Sequence, residues 1–225
     1  MYEFLISIEF YNFLKGPMVW VAIIVFICGS IYRTFSLIML AKKDKVVYPY
    51  LSLKYALRSL AHWLIPFGSR NMRLHPWMTF IAFTFHIGLL VTPIFLYPHI
   101  MLWYKAWGVR WWSLPENVAD IMTLIVILCG VFFMLRRIFA SEVRFVTYAS
   151  DYLIIAIAAA PFITGFLAFH QLVFPYRLML ISHIILGELM LMVIPFTRLS
   201  HMLFFWQTRA HTGSEFGVFR HSKDY

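Results

Sequence analysis

VADIMTLIVILCGVFFML, residues 118–135, is eighteen residues with one charged side chain, Asp120. A helix of about 20 apolar residues crosses the hydrocarbon of a bilayer, and charges inside such a run are expensive. Ser113-Leu-Pro-Glu-Asn precedes the run and Arg136-Arg137 closes it, so polar residues mark both ends. Four more runs of this kind lie outward from it, at 17–41, 77–97, 152–169 and 178–205. Lipid-exposed backbone must satisfy its own hydrogen bonds, and these runs lack the ten-residue alternation of barrel strands. The expectation is an all-α, polytopic membrane helix bundle of five transmembrane helices forming a single domain over 1–225, with a polar cytoplasmic tail at 207–225.

Composition points the same way. The chain of 225 residues is 62% apolar and 13% charged, with mean hydropathy +0.77, against about a quarter charged in a soluble domain. The net charge of +9 sits beside apolar runs, which suits anionic lipid headgroups and not nucleic acid. Thirteen Lys and Arg lie in the loop between the first two runs, the loop between the third and fourth, and the tail. Lys15, Lys105, Arg110 and Arg177 lie on the other side. The positive-inside rule then places the N-terminus outside and the C-terminus in the cytoplasm. Residues 1–14 carry Glu3 and Glu9, lack the basic start of a secretory leader, and read as retained. Residues 50–67 alternate apolar positions with Lys54, Arg58 and His62, as in a short amphipathic helix on the cytoplasmic face. Residues 152–169 are rich in alanine, which permits close helix contact, and Pro161 reads as a tolerable kink.

Cys28 and Cys129 each sit inside an apolar run and form no metal or haem-attachment motif, so any redox centre must rest on histidine. His183 and His201 fall 18 residues apart on the fifth run, about five turns and about 27 Å of helix, on one face. That spacing suits one axial imidazole for each of two haems. The second run offers His86 and, just past its outer end, His99. Thirteen residues is about 220° of rotation, so one face requires a correction from Pro93 and Pro98. His75, on the basic edge before Pro76, is the rival to His99. His62, His170, His211 and His221 read as interfacial or solvated. Arg33 and Arg198 could pair with haem propionates, and Glu188 is a carboxyl group in the middle of a span, a functional candidate by position alone. The competing reading is a non-redox transporter or structural anchor whose intramembrane His and Glu188 serve protons or packing.

Phe85-His86-Ile87-Gly88-Leu89-Leu90, the His183 to His201 spacing and the five-span topology resemble the cytochrome b (gamma) subunit family of respiratory nitrate reductase. Pro93-Ile-Phe-Leu-Tyr-Pro-His99, Leu102-Trp103 and Ser113-Leu-Pro-Glu-Asn-Val-Ala-Asp120 are most similar to the branch in anaerobic sulfur-metabolising bacteria. That branch comprises the small cytochrome b subunit of the Hmc (high-molecular-weight cytochrome c) transmembrane redox complex and the related Dsr and Tmc subunits. The resemblance implies two bis-histidine haems b, menaquinone near the outer one, a cytoplasmic iron–sulfur subunit, and other membrane subunits with a periplasmic multihaem cytochrome c. His86, His183 and His201 occupy matching positions. The family's fourth ligand position holds Leu96 here, and His99 stands in for it. The implied pairing is His86 with His201 on the cytoplasmic side and His99 with His183 on the outer side. Glu188 and Lys105, with Arg110, are the expected quinone-site residues. The chain reads as an electron-transfer subunit with no complete catalytic site of its own apart from a quinone site.

Overall fold

The structure, a computed structural model, describes residues 7–223. The first six residues of the N-terminal segment and the last two of the tail lie outside the described residues. Helix is the only regular secondary structure among the described residues, and five helices are long and apolar enough to cross a membrane. They are α1 (Ile8–Lys43), α3 (Pro76–Phe95), α5 (Glu116–Phe139), α6 (Ala149–Phe169) and the span Tyr176–Phe196, whose α-helical part, Tyr176–Val193, is α7. Between them lie α2 (Leu53–Leu64) and α4 (Tyr97–Trp107), and α8 (His201–Ser214) comes after the last span. The chain divides into two units. One contains the chain up to Val19 and Ile81–Met190, the other Trp20–Phe80 and Leu191–Tyr225.

In the first unit the core is Phe85, Val126 and Phe162, with Leu89, Ile127, Cys129 and Phe133 packed around it. Val126 is fully buried, and a Cβ on Gly88 would stand 2.6 Å from its Cγ2. Glycine at 88 is what lets α3 and α5 approach. Gly130 plays a milder version of this part, with Ala159 of α6 at 3.4 Å from an added Cβ. The turn between α5 and α6 is tied by charge. Asp151 is 3% exposed, accepts the Tyr148 N–H at 2.9 Å, and lies 3.7 Å from the Arg137 guanidinium. A carboxylate this deep is tolerable because it has both a donor and a counter-charge.

In the second unit α2 and α8 pack along their length. Trp63 stacks on Phe205 with ring centres 4.9 Å apart, and at the other end added Cβ atoms on Gly213 and Gly217 would run into Ser59 and Tyr55. The fully buried Ser214 hydroxyl donates to the Ala210 carbonyl at 2.8 Å and accepts the Ser52 N–H at 3.0 Å. The expected amphipathic helix at 50–67 is therefore present as α2, with Ala56 and Ser59 buried. The segment from 207, read as a polar tail, is helix through Ser214 and then a wider turn at Glu215–Phe219, with Gly213, Ser214 and Gly217 buried.

One helix break corrects the sequence reading, and a second falls where the run 77–97 was expected to end. The run 178–205 is not one helix. It ends at Val193, passes through short tight turns at Ile194–Phe196 and Arg198–Ser200 with Thr197 extended between them, and resumes at His201. Proline at 195 cannot donate to the carbonyl four residues back and its ring crowds that oxygen. Thr197 then caps the second of these turns, its Oγ1 accepting the Leu199 N–H at 3.3 Å and donating to Val193 O at 2.9 Å. The one-face argument for His183 and His201 therefore fails, because the rotation count assumes an unbroken helix. The second break separates α3 from α4 at Leu96, which is extended. Pro98 would clash with the Ile94 carbonyl if the helix ran on.

Candidate functional site

A helix end leaves its last carbonyls without intrahelical donors, and the end of α3 fills each from outside the helix. The Ile94 oxygen accepts the Trp111 indole N–H at 2.9 Å, and the Phe95 oxygen accepts the Leu114 N–H at 2.9 Å. The Pro93 oxygen lies 2.9 Å from Nδ1 of His99, which sits in the first turn of α4. The break that Pro98 imposes thus supplies both the new direction for His99 and the acceptor that orients its ring. The awkward 220° rotation between His86 and His99 disappears, since they are on different helices.

Opposite His99 stands His183 of α7. The two ring centres are 5.9 Å apart and their planes differ by 20°. Nδ1 of His183 lies 2.8 Å from the Pro161 oxygen of α6. A carbonyl can only accept, so in both rings Nδ1 is the protonated nitrogen and Nε2 carries the lone pair. This is the arrangement found in metal-ligating histidines, whose second nitrogen donates to a carbonyl or carboxylate. Metal–nitrogen bonds of about 2.0 Å put two imidazoles on one metal with ring centres about 6 Å apart, close to the separation seen. His99 is half-buried, and burial pushes its pKa below the ordinary imidazole value while the Pro93 carbonyl pulls it back up. Burial thus favours the neutral form that a ligand needs.

His86 and His201 share the habit. Nδ1 of His86 lies 2.7 Å from the Ala82 oxygen, and Nδ1 of His201 lies 2.7 Å from the Arg198 oxygen. They fall in different units, and each is exposed within its own. His170 and His211 behave differently. Each turns Nε2 to a carboxylate, Asp120 at 3.0 Å and Asp44 at 3.2 Å. His211, expected to be solvated in a polar tail, is thus paired instead. The pairing of Asp120 with His170 had a signal in the sequence, since one lies at the start of the third run and the other just past the end of the fourth. His62 is half-buried, and His75 and His221 are exposed.

Among the described residues no group of three or more His, Cys, Asp or Glu could hold a metal ion. Two imidazoles are too few for a bare ion, which wants about four protein or water donors. Glu188 of α7 is buried and its Oε1 has no hydrogen-bond partner. Lys105 of α4, Arg33 of α1 and Arg198 are exposed. The residues that sequence reasoning missed are the orienting ones, Pro93 and Pro161, which act through main-chain oxygens that no side-chain pattern reports.

The chain is 41% identical over 215 residues to a protein of Nitratidesulfovibrio vulgaris (strain Hildenborough), a match covering 93% of this chain and 95% of that one. The relative carries the name "Protein", which states no activity. No family model matches the chain and no solved structure does.

Proposed function

We propose, for a chain that belongs to one family with the Nitratidesulfovibrio vulgaris protein, that it is a multi-pass electron-transfer subunit holding two b-type haems. The observation that carries this reading is the His99 and His183 pair, parallel at 5.9 Å with both Nδ1 atoms committed to carbonyls. Haem held between two imidazoles would supply one-electron chemistry, and the chain would act as a relay for electrons. The protein's own contribution is to hold the four rings in one tautomer, at fixed positions, in a low-dielectric bundle. His99 and His183 serve the outer centre, and His86 and His201 are the imidazoles available to the second. Arg33 and Arg198 are the cations available to the propionates. Basic loops and the α2–α8 pair face the cytoplasm of the inner membrane, where they dock an iron–sulfur subunit. The outer face meets the menaquinone pool, or a periplasmic multihaem cytochrome c, alongside other membrane subunits.

Quinone chemistry moves protons with electrons and needs a group that can exchange them. Glu188 fits that need, because its buried carboxyl oxygen lacks a partner, and Lys105 with Arg110 offers cations for a quinone carbonyl. Glu188→Gln and Lys105→Ala, tested with haem content intact, should each slow haem reduction by a menaquinol analogue by about 10² or more, as loss of a proton-transfer group does. Unchanged rates in both remove these residues from the mechanism.

The deciding experiment is a reduced-minus-oxidised absorption spectrum of membranes containing the chain. Reduced b-type bands in proportion to protein are expected. Their absence overturns the haem reading and favours a transporter or anchor in which Glu188 carries protons.

A further inference from the structure

Helix α6 contributes no candidate ligand, yet it lies against the ring of His183. Side chains on a helix lean toward its N-terminus and cover the turn before their own Cα. A side chain at 165 would therefore lie over the carbonyl of residue 161, one turn earlier. Residue 165 is glycine, and the His183 ring takes the space: an added Cβ would stand 3.0 Å from both its Cε1 and its Nδ1. Contacts at that distance are tighter than most real Cβ contacts, and the ring would have to give way. The Pro161 oxygen that Nδ1 reaches at 2.8 Å also has the Thr164 hydroxyl at 3.3 Å. A carbonyl has two lone pairs and can serve more than one donor.

We propose that Gly165 and the Pro161 carbonyl are positioning elements for His183: the absent side chain uncovers the oxygen, the oxygen holds Nδ1–H, and Nε2 is left as the nitrogen for metal. The proposal rests on His183 being an axial ligand. It makes α6, a helix without a ligand, the element that tunes the outer centre, because a hydrogen-bonded N–H raises the donor strength of the other ring nitrogen.

The test uses the full chain in lipid bilayers, with ¹⁵N-histidine spectra and low-spin EPR of the purified protein. In Gly165→Ala the His183 Nδ1 resonance should move and one of the two EPR signals should shift while the other holds. Haem affinity at that centre should fall on the order of 10- to 100-fold, as for other losses of an orienting partner. Gly187→Ala is the control, since a Cβ there meets nothing within 4 Å. If Gly165→Ala leaves both the resonance and both EPR signals unchanged, the proposal is overturned. If the variant does not insert, the wild-type resonance decides. A His183 protonated at Nδ1 and hydrogen-bonded supports the positioning, and one protonated at Nε2 overturns it. If the purified wild type holds no haem, the electron-transfer reading fails by itself, and the same wild-type tautomer still decides whether Pro161 orients His183.

Discussion

On the proposed haem reading, replacing His183 by Ala removes one of the paired imidazoles, and the haem they would hold should be poorly retained by the other alone. Haem per chain, measured by haemochrome assay, should fall by about half, since one of two centres is lost. His75→Ala should change nothing, because His75 is an exposed residue closing a single turn. Retention of both haems in His183→Ala, or loss of one in His75→Ala but none in His99→Ala, would sink the pairing. Packing gives a second residue-scale prediction. Gly88→Ala pushes a methyl to 2.6 Å from the fully buried Val126. Overpacking of this kind costs about 1–3 kcal/mol, to be read as a lower melting temperature without loss of the His99 and His183 ligation.

At the scale of elements, the turn that follows α1 is tied to α8 by Asp44 and His211, 3.2 Å apart. The Val47 N–H, at 3.0 Å from Asp44 Oδ1, is the main cause of a carboxyl pKa below its ordinary value, with Val46 and His211 adding to it. A depressed carboxylate stabilises the fold above its unfolded pKa of about 4, and that contribution is lost as pH falls through the lower folded value. Protection of the Val46 and Val47 amides, which donate to Asp44, against hydrogen exchange should therefore weaken on acidification below about pH 4. In Asp44→Ala the protection should be lower throughout and this acid step absent. An acid step of the same size in the variant would show that Asp44 is not its source.

At the scale of the whole molecule the matter to test is direction across the membrane. Thirteen basic residues against four predict that α2 and α8 face the cytoplasm. Single cysteines at Lys43, Val109 and Ser222 test this in intact cells with an impermeant thiol reagent. Val109→Cys should react and the other two should not until the membrane is opened. The opposite pattern would reverse the topology and with it the docking of an iron–sulfur subunit. Cross-links from Lys42, Lys43, Lys45 or Lys223 to cytoplasmic iron–sulfur protein are the corresponding expectation for the partner.

Sequence by itself determined the membrane class and the five spans, because hydrocarbon demands long apolar runs and forces their backbone into helix. It also marked His86, His99, His183 and His201, since an imidazole in or beside such a run is costly enough to stand out. The breaks at Leu96 and Thr197 were half legible: Pro98 and Pro195 are visible in the sequence, but a proline in a span can equally kink or end a helix. Tertiary structure alone decided that His99 meets His183, which residues cap the freed carbonyls of α3, and that Gly165 leaves the Pro161 oxygen open to a ring on another helix. The α2–α8 pairing was hidden in the same way, because Tyr55 and Gly217 come together from opposite ends of the chain. Local pattern reports what one helix presents; which oxygen a ring nitrogen finds depends on how separate helices pack.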